Sequence, residues 1–403
     1  MSKIPSVSSR AQRVPPSPIR KLVPFADKAI KEGAMVYRLN IGQPDIATPK
    51  QMIDAMRNFD LNIIAYGRSD GEPQLKREFS RYYQRNGIDI MEDQIIVTTG
   101  GSEAIIFAMS ACASPGEEIL VFEPFYTNYN GFASLLGIEL KPITTTIDDG
   151  FHLPPADKIR QAITDKTRAI LICTPNNPTG VVLSTDELLT LTEIANDANI
   201  FIISDEVYRE FCYGDTEHTS ILQIYNSESN SILVDSISKR FSACGARIGC
   251  IASRNEEVLS AIIRMAQARL CPPVIEQIGT IAALRIPFEE YIGSMVSEFK
   301  ARRDVLTNEL KGIDGVVFRE PEGAFYIQVK LPVENSEDFA VWMLTDYRSE
   351  HNETVMLAPG AGFYATEGLG LNEVRIAYVL NTDDIKRAIN CLRDGLCLYK
   401  NRT

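Results

Sequence analysis

The sequence predicts an α/β fold, with a mostly parallel central sheet in a large domain and a smaller α+β domain after it. Three observations carry this. Between about residues 95 and 252, short apolar segments recur with helical runs between them. Nearly all the distinctive polar strings follow the end of such a segment. From about residue 290 the pattern changes to one long amphipathic run followed by hairpin-type strands. Short strands without polar alternation belong in a sheet covered on both faces, and ligands of such sheets gather at the carboxyl ends of the strands.

Taken in order, residues 1–33 read as an irregular arm, rich in Ser and Pro, leading into a short amphipathic helix over 18–31. Ile95-Ile-Val-Thr98 is a strand, Gly100-Gly-Ser102 a turn and 103–112 a helix. Strands follow at 118–122 and 167–173, a helix at 186–198, and strands at 200–204, 231–235 and 247–252. A long helix over 289–313 opens the smaller domain. Strands at 315–318, 323–329 and 373–379 and helices at 336–350 and 383–396 complete it. The expected division is an arm of 1–33, a large domain of 34–288 whose first residues can join the small one, and a small domain of 289–403.

Bulk composition narrows the function. The chain has 403 residues, 45% hydrophobic and 23% charged, enough for one large core and a smaller one. A net charge of −12 without a basic stripe argues against a nucleic-acid surface. The basic residues of the arm, Arg10, Arg13, Arg20 and Lys21, are too sparse for a polybasic membrane anchor. Neither a membrane-spanning run nor a signal-type apolar core is visible, so a cytoplasmic protein is expected. Eight cysteines without a C-x-x-C pair fit buried thiols in a reducing compartment; Cys391 and Cys397 could face each other on the last helix, but structural packing is the expected use. The three histidines, His152, His218 and His351, are too scattered for zinc and read as surface residues.

The chemistry concentrates in five strings. In Ser236-Ile-Ser-Lys239-Arg-Phe-Ser-Ala-Cys-Gly-Ala-Arg247, a lysine sits in the turn after a strand end. Partial burial and the positive charge of Arg247, with Arg240 as a second cation, favour the neutral amine that attacks an aldehyde to form a Schiff base; a surface lysine that happens to follow a strand is the alternative. Gly100-Gly-Ser102-Glu103 turns from strand to helix, which makes either a phosphate site or an ordinary capped start. Thr174-Pro-Asn-Asn177-Pro-Thr-Gly180 is a rigid turn; Pro178 holds Asn177 extended, so its amide can aim into a cleft or simply close the turn. Asp205 and Glu206 end a buried strand and need a cationic or donor partner, such as a protonated pyridine nitrogen, with Tyr208 in reach; a capping or metal-binding acid is the alternative. Arg375 lies inside an apolar strand, where its fork suits either a carboxylate ligand or a structural salt bridge.

Together these strings resemble the class I/II aminotransferases, the fold-type I enzymes that use pyridoxal 5′-phosphate. The likeness runs from about residue 35 to 395. It rests on Gly42 in Asn-Ile-Gly-Gln-Pro, Tyr66, Gly100-Gly-Ser-Glu-Ala, Tyr126, Asn-Asn-Pro-Thr-Gly, Asp205 with Tyr208, Ser236-x-x-Lys239, Arg247 and Arg375. The resemblance implies that Lys239 carries the cofactor and shuttles the proton, and that Asp205 pairs with the ring nitrogen. Asn177 and Tyr208 would bond the phenolic oxygen, and Tyr126 would stack on the ring. The amides of Gly101, Ser102 and Glu103, with Ser236 and Arg247, would hold the phosphate. Tyr66 would reach the phosphate of a neighbouring subunit, implying a homodimer, and Arg375, Asn177 and the Gly42 backbone would bind the substrate α-carboxylate.

The implied activity is transfer of an amino group from an L-amino acid, aspartate/glutamate-like or aromatic, to a 2-oxo acid such as 2-oxoglutarate. A β-lyase or decarboxylase on the same fold is the alternative, and a non-catalytic scaffold is disfavoured. Two devices that bind a distal carboxylate in relatives are not intact: Ser102 stands where one subgroup has lysine, and Arg269 is out of place for the other. Arg269, Arg68 and Arg20 are the candidate substitutes, and Tyr364 a candidate for the pocket wall.

Overall fold

The computed structural model describes residues 5–60 and 62–400; the first four residues of the expected arm and the last three of the expected small domain lie outside the described residues. Its strands begin with β1 Met35–Arg38, β2 Ile95–Thr98, β3 Glu118–Glu123, β4 Glu139–Thr144, β5 Thr167–Cys173 and β6 Phe201–Asp205. They continue with β7 Ser231–Ser236, β8 Gly249–Ala252, β9 Val317–Phe318, β10 Tyr326–Lys330, β11 Glu353–Met356, β12 Ala358–Pro359 and β13 Glu373–Ala377.

The large sheet has the order β2-β8-β7-β6-β5-β3-β4. Its pairs are parallel except that β8 runs antiparallel to both neighbours. Successive side chains leave a strand on opposite faces, and here both faces are core. Ile95, Val97, Ile202 and Leu233 enter one core, with Leu75 and Phe79 of helix Pro73–Arg85 and Leu188 and Leu191 of helix Thr185–Ala198. Ile96, Ile203, Ile232 and Val234 enter the other, with Ala104 and Ala108 of helix Gly100–Cys112 and Ile262 of helix Glu256–Arg269. Each such Ile or Leu contributes about 1.5–3 kcal/mol by its burial, so the absence of polar alternation is what two covered faces require.

Several boundaries differ from the expected ones: the helix expected over 336–350 ends at Thr345, and the strands expected from 315 and 323 begin at Val317 and Tyr326. Three further differences have local reasons. The strand expected to begin at Arg247 begins at Gly249, because Arg247 has φ +55°, in the left-handed region. Lys239 lies in a one-turn helix, Ile237–Arg240, rather than in an open turn. The arm helix spans Val23–Lys31, with Pro24 in its first turn, and a separate short helix, Ser9–Arg13, precedes it. The edge strand β4 escapes the apolar pattern because it carries Glu139, Lys141 and Pro142; proline is tolerated at an edge.

Toward the C-terminus, β12-β13-β10-β9 form an antiparallel sheet, with the long helices Phe288–Lys311 and Thr382–Lys400 in the same segment. β1 pairs in parallel with β11, so the residues just after the arm join the C-terminal segment. The arm helix buries Ala26 and Ala29 against Ala340 and Leu344 of helix Ser336–Thr345.

One alternative falls and one expectation is corrected. Cys391 is buried, as structural packing requires, and Cys397 is exposed, so the two are not paired on one face of the last helix. The His218 imidazole is not at the surface: its side chain is 5% exposed and bonds to Glu206 at 2.9 Å. No helix among the described residues is long and apolar enough to cross a membrane.

Candidate active site

A cavity of about 290 Å³ opens where the carboxyl ends of β5, β6 and β7 meet β13 and the loop after β1. Cys173, Asp205 and Ser236, the last residues of those three strands, all line it. Gly42, Gly101, Ser102, Tyr126 and Asn177 also line it, as do Tyr208, Lys239, Arg247 and Arg375. Of the residues singled out in the sequence for cofactor or substrate, the wall lacks Glu103 and Tyr66. The Glu103 carboxylate accepts from the Thr99 N–H at 2.7 Å and faces Arg269 at 3.5 Å. Tyr66 is 80% exposed on the surface of the single chain.

One end of the cavity is built for an anion. Helix Gly100–Cys112 presents its first turn there, with unpaired amides at the positive end of the helix dipole. Gly100 has φ +74°, and a Cβ at that position would lie 2.3 Å from the Arg247 guanidinium. Only glycine lets the cation sit against the helix start. Arg247 itself donates to the Cys244 carbonyl at 3.0 Å and has no carboxylate partner among the described residues. Ser236 Oγ and Ser238 Oγ, 2.8 Å apart, complete the cradle. Amides, guanidinium and hydroxyls around one space suit a phosphate, and so fit the phosphate of the implied cofactor.

Asp205 ends β6 and faces the cavity. It accepts from Tyr129 Oη at 2.7 Å and from the Val207 N–H at 3.3 Å. Burial outweighs these bonds and lifts its pKa to about 6. No cation pairs with it among the described residues, and its position would suit a protonated ring nitrogen in the cavity. Glu206 takes the opposite direction. It accepts from Ser204, Ser220 and the Ile221 N–H, besides His218. Burial opposes its ionisation, but His218 and Arg209 override it and hold the pKa below the usual carboxylate range. The two acids adjacent in sequence thus serve different parts of the molecule.

Lys239 Nζ donates to the Gly42 carbonyl at 2.8 Å and lies 3.7 Å from Cys244 Sγ. Arg240, expected to be a second cation near it, is committed elsewhere. Its guanidinium binds Glu210 at 2.8 Å and Asp235 at 2.7 Å and lies over the Tyr82 ring.

Asn177 owes its aim to its neighbour. Asn176 Oδ1 accepts from the Thr179 N–H and hydroxyl at 3.1 and 2.9 Å, closing the turn. Asn177 Oδ1 then accepts from Arg375 at 3.0 Å. Arg375 also donates to the Asn40 carbonyl at 2.5 Å and lies 4.5 Å from the Tyr326 ring centroid. It is 2% exposed, meets no carboxylate among the described residues, and its Nε has no partner. Burial without a counter-charge lowers its pKa. The salt-bridge alternative therefore falls among the described residues, and a buried guanidinium without a counter-charge suits an anionic ligand.

The candidate side-chain cations separate just as clearly. Arg269 donates to the Ser69 and Val97 carbonyls and faces Glu103; Arg68 pairs with Asp70 at 3.1 Å; neither lines the cavity. Arg20 does line it. Tyr364 does not: its hydroxyl donates to Glu373 at 2.7 Å. Sequence reasoning missed Tyr129, Tyr326 and Ser238. Tyr326 Oη meets Tyr208 Oη at 2.9 Å and packs so tightly on Gly42 that a Cβ there would lie 1.8 Å away. Tyr129 follows Tyr126 by three residues, a helical spacing that offered a signal; Tyr326 lay hidden in an apolar strand.

The model of aminotransferase class I and II matches residues 34–392. A probable aspartate aminotransferase of Methanocaldococcus jannaschii is 31% identical over 396 residues, 96% of this chain and 99% of that protein. The structure of an alanine aminotransferase from Pyrococcus furiosus superposes with a TM-score of 0.89 at 31% identity, covering 98% of this chain and 100% of the other. That of Thermus thermophilus aspartate aminotransferase with maleate gives 0.86 at 25% identity, covering 97% and 100%. With a match over most of its length and a cavity that gathers the residues of the motif set, this chain belongs to the class I and II aminotransferases, enzymes that depend on pyridoxal 5′-phosphate.

Proposed function

We propose that the enzyme moves the amino group of an L-amino acid, aspartate/glutamate-like or aromatic, to a 2-oxo acid such as 2-oxoglutarate in two alternating half-reactions. The observation that carries this reading is Arg375: a buried guanidinium without a carboxylate, in the same cavity as Lys239. An α-carboxylate on the Arg375 fork, with Asn177 beside it, directs the substrate's Cα–N end into the cavity.

Pyridoxal phosphate, when bound, supplies the electron sink that lets the substrate Cα–H ionise. Gly101, Ser102 and Glu103 amides, Ser236 and Arg247 hold its phosphate. Asp205 would hold a negative charge for the ring nitrogen, and the Asn177 amide and the Tyr208 hydroxyl would donate to the phenolic oxygen. Tyr126 covers the ring. Lys239 Nζ would hold the cofactor between turnovers and is the amine placed to take and return the substrate Cα proton. The small domain comprises the described residues from 289 to 400 with the β1 segment. The active unit is a homodimer in which the exposed Tyr66 of each subunit serves the other's site.

The test is to mix cofactor-loaded protein with single L-amino acids and follow the cofactor absorbance together with 2-oxo acid release. Loss of the band with an equal yield of oxo acid, reversed by 2-oxoglutarate, is the expected result, and Lys239→Ala abolishes it. Pyruvate and ammonia formed without an acceptor would instead make the enzyme a β-lyase.

A further inference from the structure

We propose that Cys244 is a covalent-modification site in the cavity wall, taking small electrophilic carboxylic acids (2-haloacids and α,β-unsaturated acids) that Arg375 gathers by their carboxylate. The assignment rests on Arg375 as a carboxylate receptor, as the aminotransferase reading has it, and concerns a thiol to which that reading gives no role.

Two cysteines, Cys173 and Cys244, line the cavity, and they differ in what their sulfurs can do. Cys173 is 6% exposed and donates to the Pro175 carbonyl at 3.4 Å. Burial, with the Asp205 carboxylate near it, pushes its thiol well above the ordinary range, which keeps it inert. Cys244 is half-buried. Its Sγ accepts from Lys239 Nζ at 3.7 Å and donates to the Ser238 carbonyl at 3.3 Å, so its lone pairs face the amine.

The chain is folded to put it there. After the one-turn helix Ile237–Arg240, Ser242 takes φ +47° and the Ala243 N–H donates to the Ser238 carbonyl at 3.1 Å. The backbone thus turns back and returns Cys244 to Lys239. Arg247 donates to the Cys244 carbonyl at 3.0 Å and fixes the other side of the turn.

The rest of the site is an unpartnered donor. Arg375 lines the same cavity at 2% exposure, and its Nε has no acceptor among the described residues. Arg375 donates to the Asn40 carbonyl at 2.5 Å and Lys239 to the Gly42 carbonyl at 2.8 Å, so the two cations share one short stretch of backbone. A small acid on the Arg375 fork therefore lies on the Lys239 side of the cavity, with Cys244 Sγ beside that amine. The wall sets four cations, Arg20, Lys239, Arg247 and Arg375, against one carboxylate, Asp205, and a field of that sign concentrates anions.

The chemistry needs no oxidant. With a 2-haloacid, the sulfur attacks the carbon that bears the halogen. The C–S bond forms, the carbon–halogen bond breaks, halide leaves with the electron pair, and the thiol proton goes to solvent. With an unsaturated acid, the C–S bond forms at the β-carbon, the α-carbon takes the thiol proton, and nothing leaves. While Lys239 holds the cofactor its amine is engaged, and Cys244 is the nucleophile beside it. Either product leaves a carboxylate-bearing group next to Lys239.

The experiment treats cofactor-loaded wild type, Cys244→Ser and Arg375→Leu with iodoacetate and with its neutral analogue iodoacetamide. Peptide mass spectrometry follows each cysteine, with the exposed Cys397 as internal reference. At Cys244 the iodoacetate-to-iodoacetamide rate ratio is expected to exceed that at Cys397 by about 10- to 100-fold, the effect of a charge-assisted carboxylate contact. In Arg375→Leu the Cys244 ratio should fall to the Cys397 value while iodoacetamide still labels Cys244. The Cys244→Ser peptide should gain no mass. An unlabelled Cys244, equal ratios at Cys244 and Cys397 in wild type, or an excess that survives Arg375→Leu would each overturn the proposal. Amino-group transfer without the excess removes the Cys244 assignment alone. An excess abolished by Arg375→Leu, in a protein that converts no amino acid, upholds the assignment and removes the transfer reading.

Discussion

Arg240 and Arg375 are 0% and 2% exposed, yet Arg240 lies between two carboxylates and Arg375 faces none. Burial works against the charge of both. At Arg240, Asp235 and Glu210 reverse the effect and raise the pKa, whereas at Arg375 no anion does so and the pKa falls. Arg240 therefore belongs to a closed network whose parts all come from the chain. Arg375 belongs to an open one: it meets no carboxylate among the described residues, and its Nε has no partner. The same division separates Glu206, with His218 and Arg209, from Asp205, which has hydrogen bonds but no cation. Closed buried networks hold the scaffold, and open ones mark where chemistry is done.

The comparison breaks first if the closed network proves dispensable. Arg240→Met removes the guanidinium that pairs with both Asp235 and Glu210 and is expected to cost about 3–5 kcal/mol in chemical denaturation; an unchanged midpoint would refute the structural role. The next effect has the opposite sign. Without cofactor, the raised pKa of Asp205 means that the folded state holds a proton the unfolded chain has lost. Its ionised form therefore destabilises the fold by about 2–3 kcal/mol once the pH exceeds about 6, and by nothing below the ordinary aspartate range. Cofactor-free Asp205→Asn should then melt above wild type at pH 8 and together with it in strong acid. A lower melting point at pH 8 would show that the chain does supply Asp205 a partner.

Smaller effects sharpen the contrast. Arg375→Leu removes an uncompensated charge while leaving two carbonyl oxygens facing the cavity, and cofactor-free stability should change by about 1 kcal/mol or less. Equal destabilisation by Arg240→Met and Arg375→Leu would erase the distinction. The smallest effect lies at the surface. His152 sits between Glu187 and Glu322, whose hydrogen bonds lift its pKa to about 10 despite partial burial. Because that pKa is raised, the stabilisation is complete below the ordinary histidine range and lost as pH rises through about 10. The half-exposed setting limits it to a few tenths of a kcal/mol up to about 1. His152→Gln should lower the melting point at pH 6 and not above pH 10.

How much of this could be read in advance depended on what each residue answers to. β5, β6 and β7 were legible because two covered faces leave only apolar residues in a strand, and the cavity stands at their carboxyl ends. Lys239, Asn177, Asp205 and Arg375 were legible because each is a polar group where burial needs a reason. The start of β8 was not, since the left-handed conformation of Arg247 is imposed by its packing on Gly100 and by its bond to Cys244. Nor was the division between Asp205 and Glu206, which depends on Ser220, Ile221 and His218 folding back onto one side of the strand. Arg20 and Arg269 were equivalent candidates in sequence; only the tertiary contacts of Arg269 with Glu103 and two carbonyls distinguish them.

The account rests on Arg375 as the receptor for a substrate carboxylate, and one measurement addresses it directly. Single-turnover rates of cofactor-loaded wild type and Arg375→Leu are compared on L-phenylalanine and on 2-phenylethylamine, which lacks only the carboxylate. Wild type should favour the amino acid by about 100-fold or more, and the variant should lose most of that preference, since two or more charge-assisted hydrogen bonds are removed. A variant that keeps the full preference would show that the carboxylate binds elsewhere and that Arg375 is one more part of the scaffold.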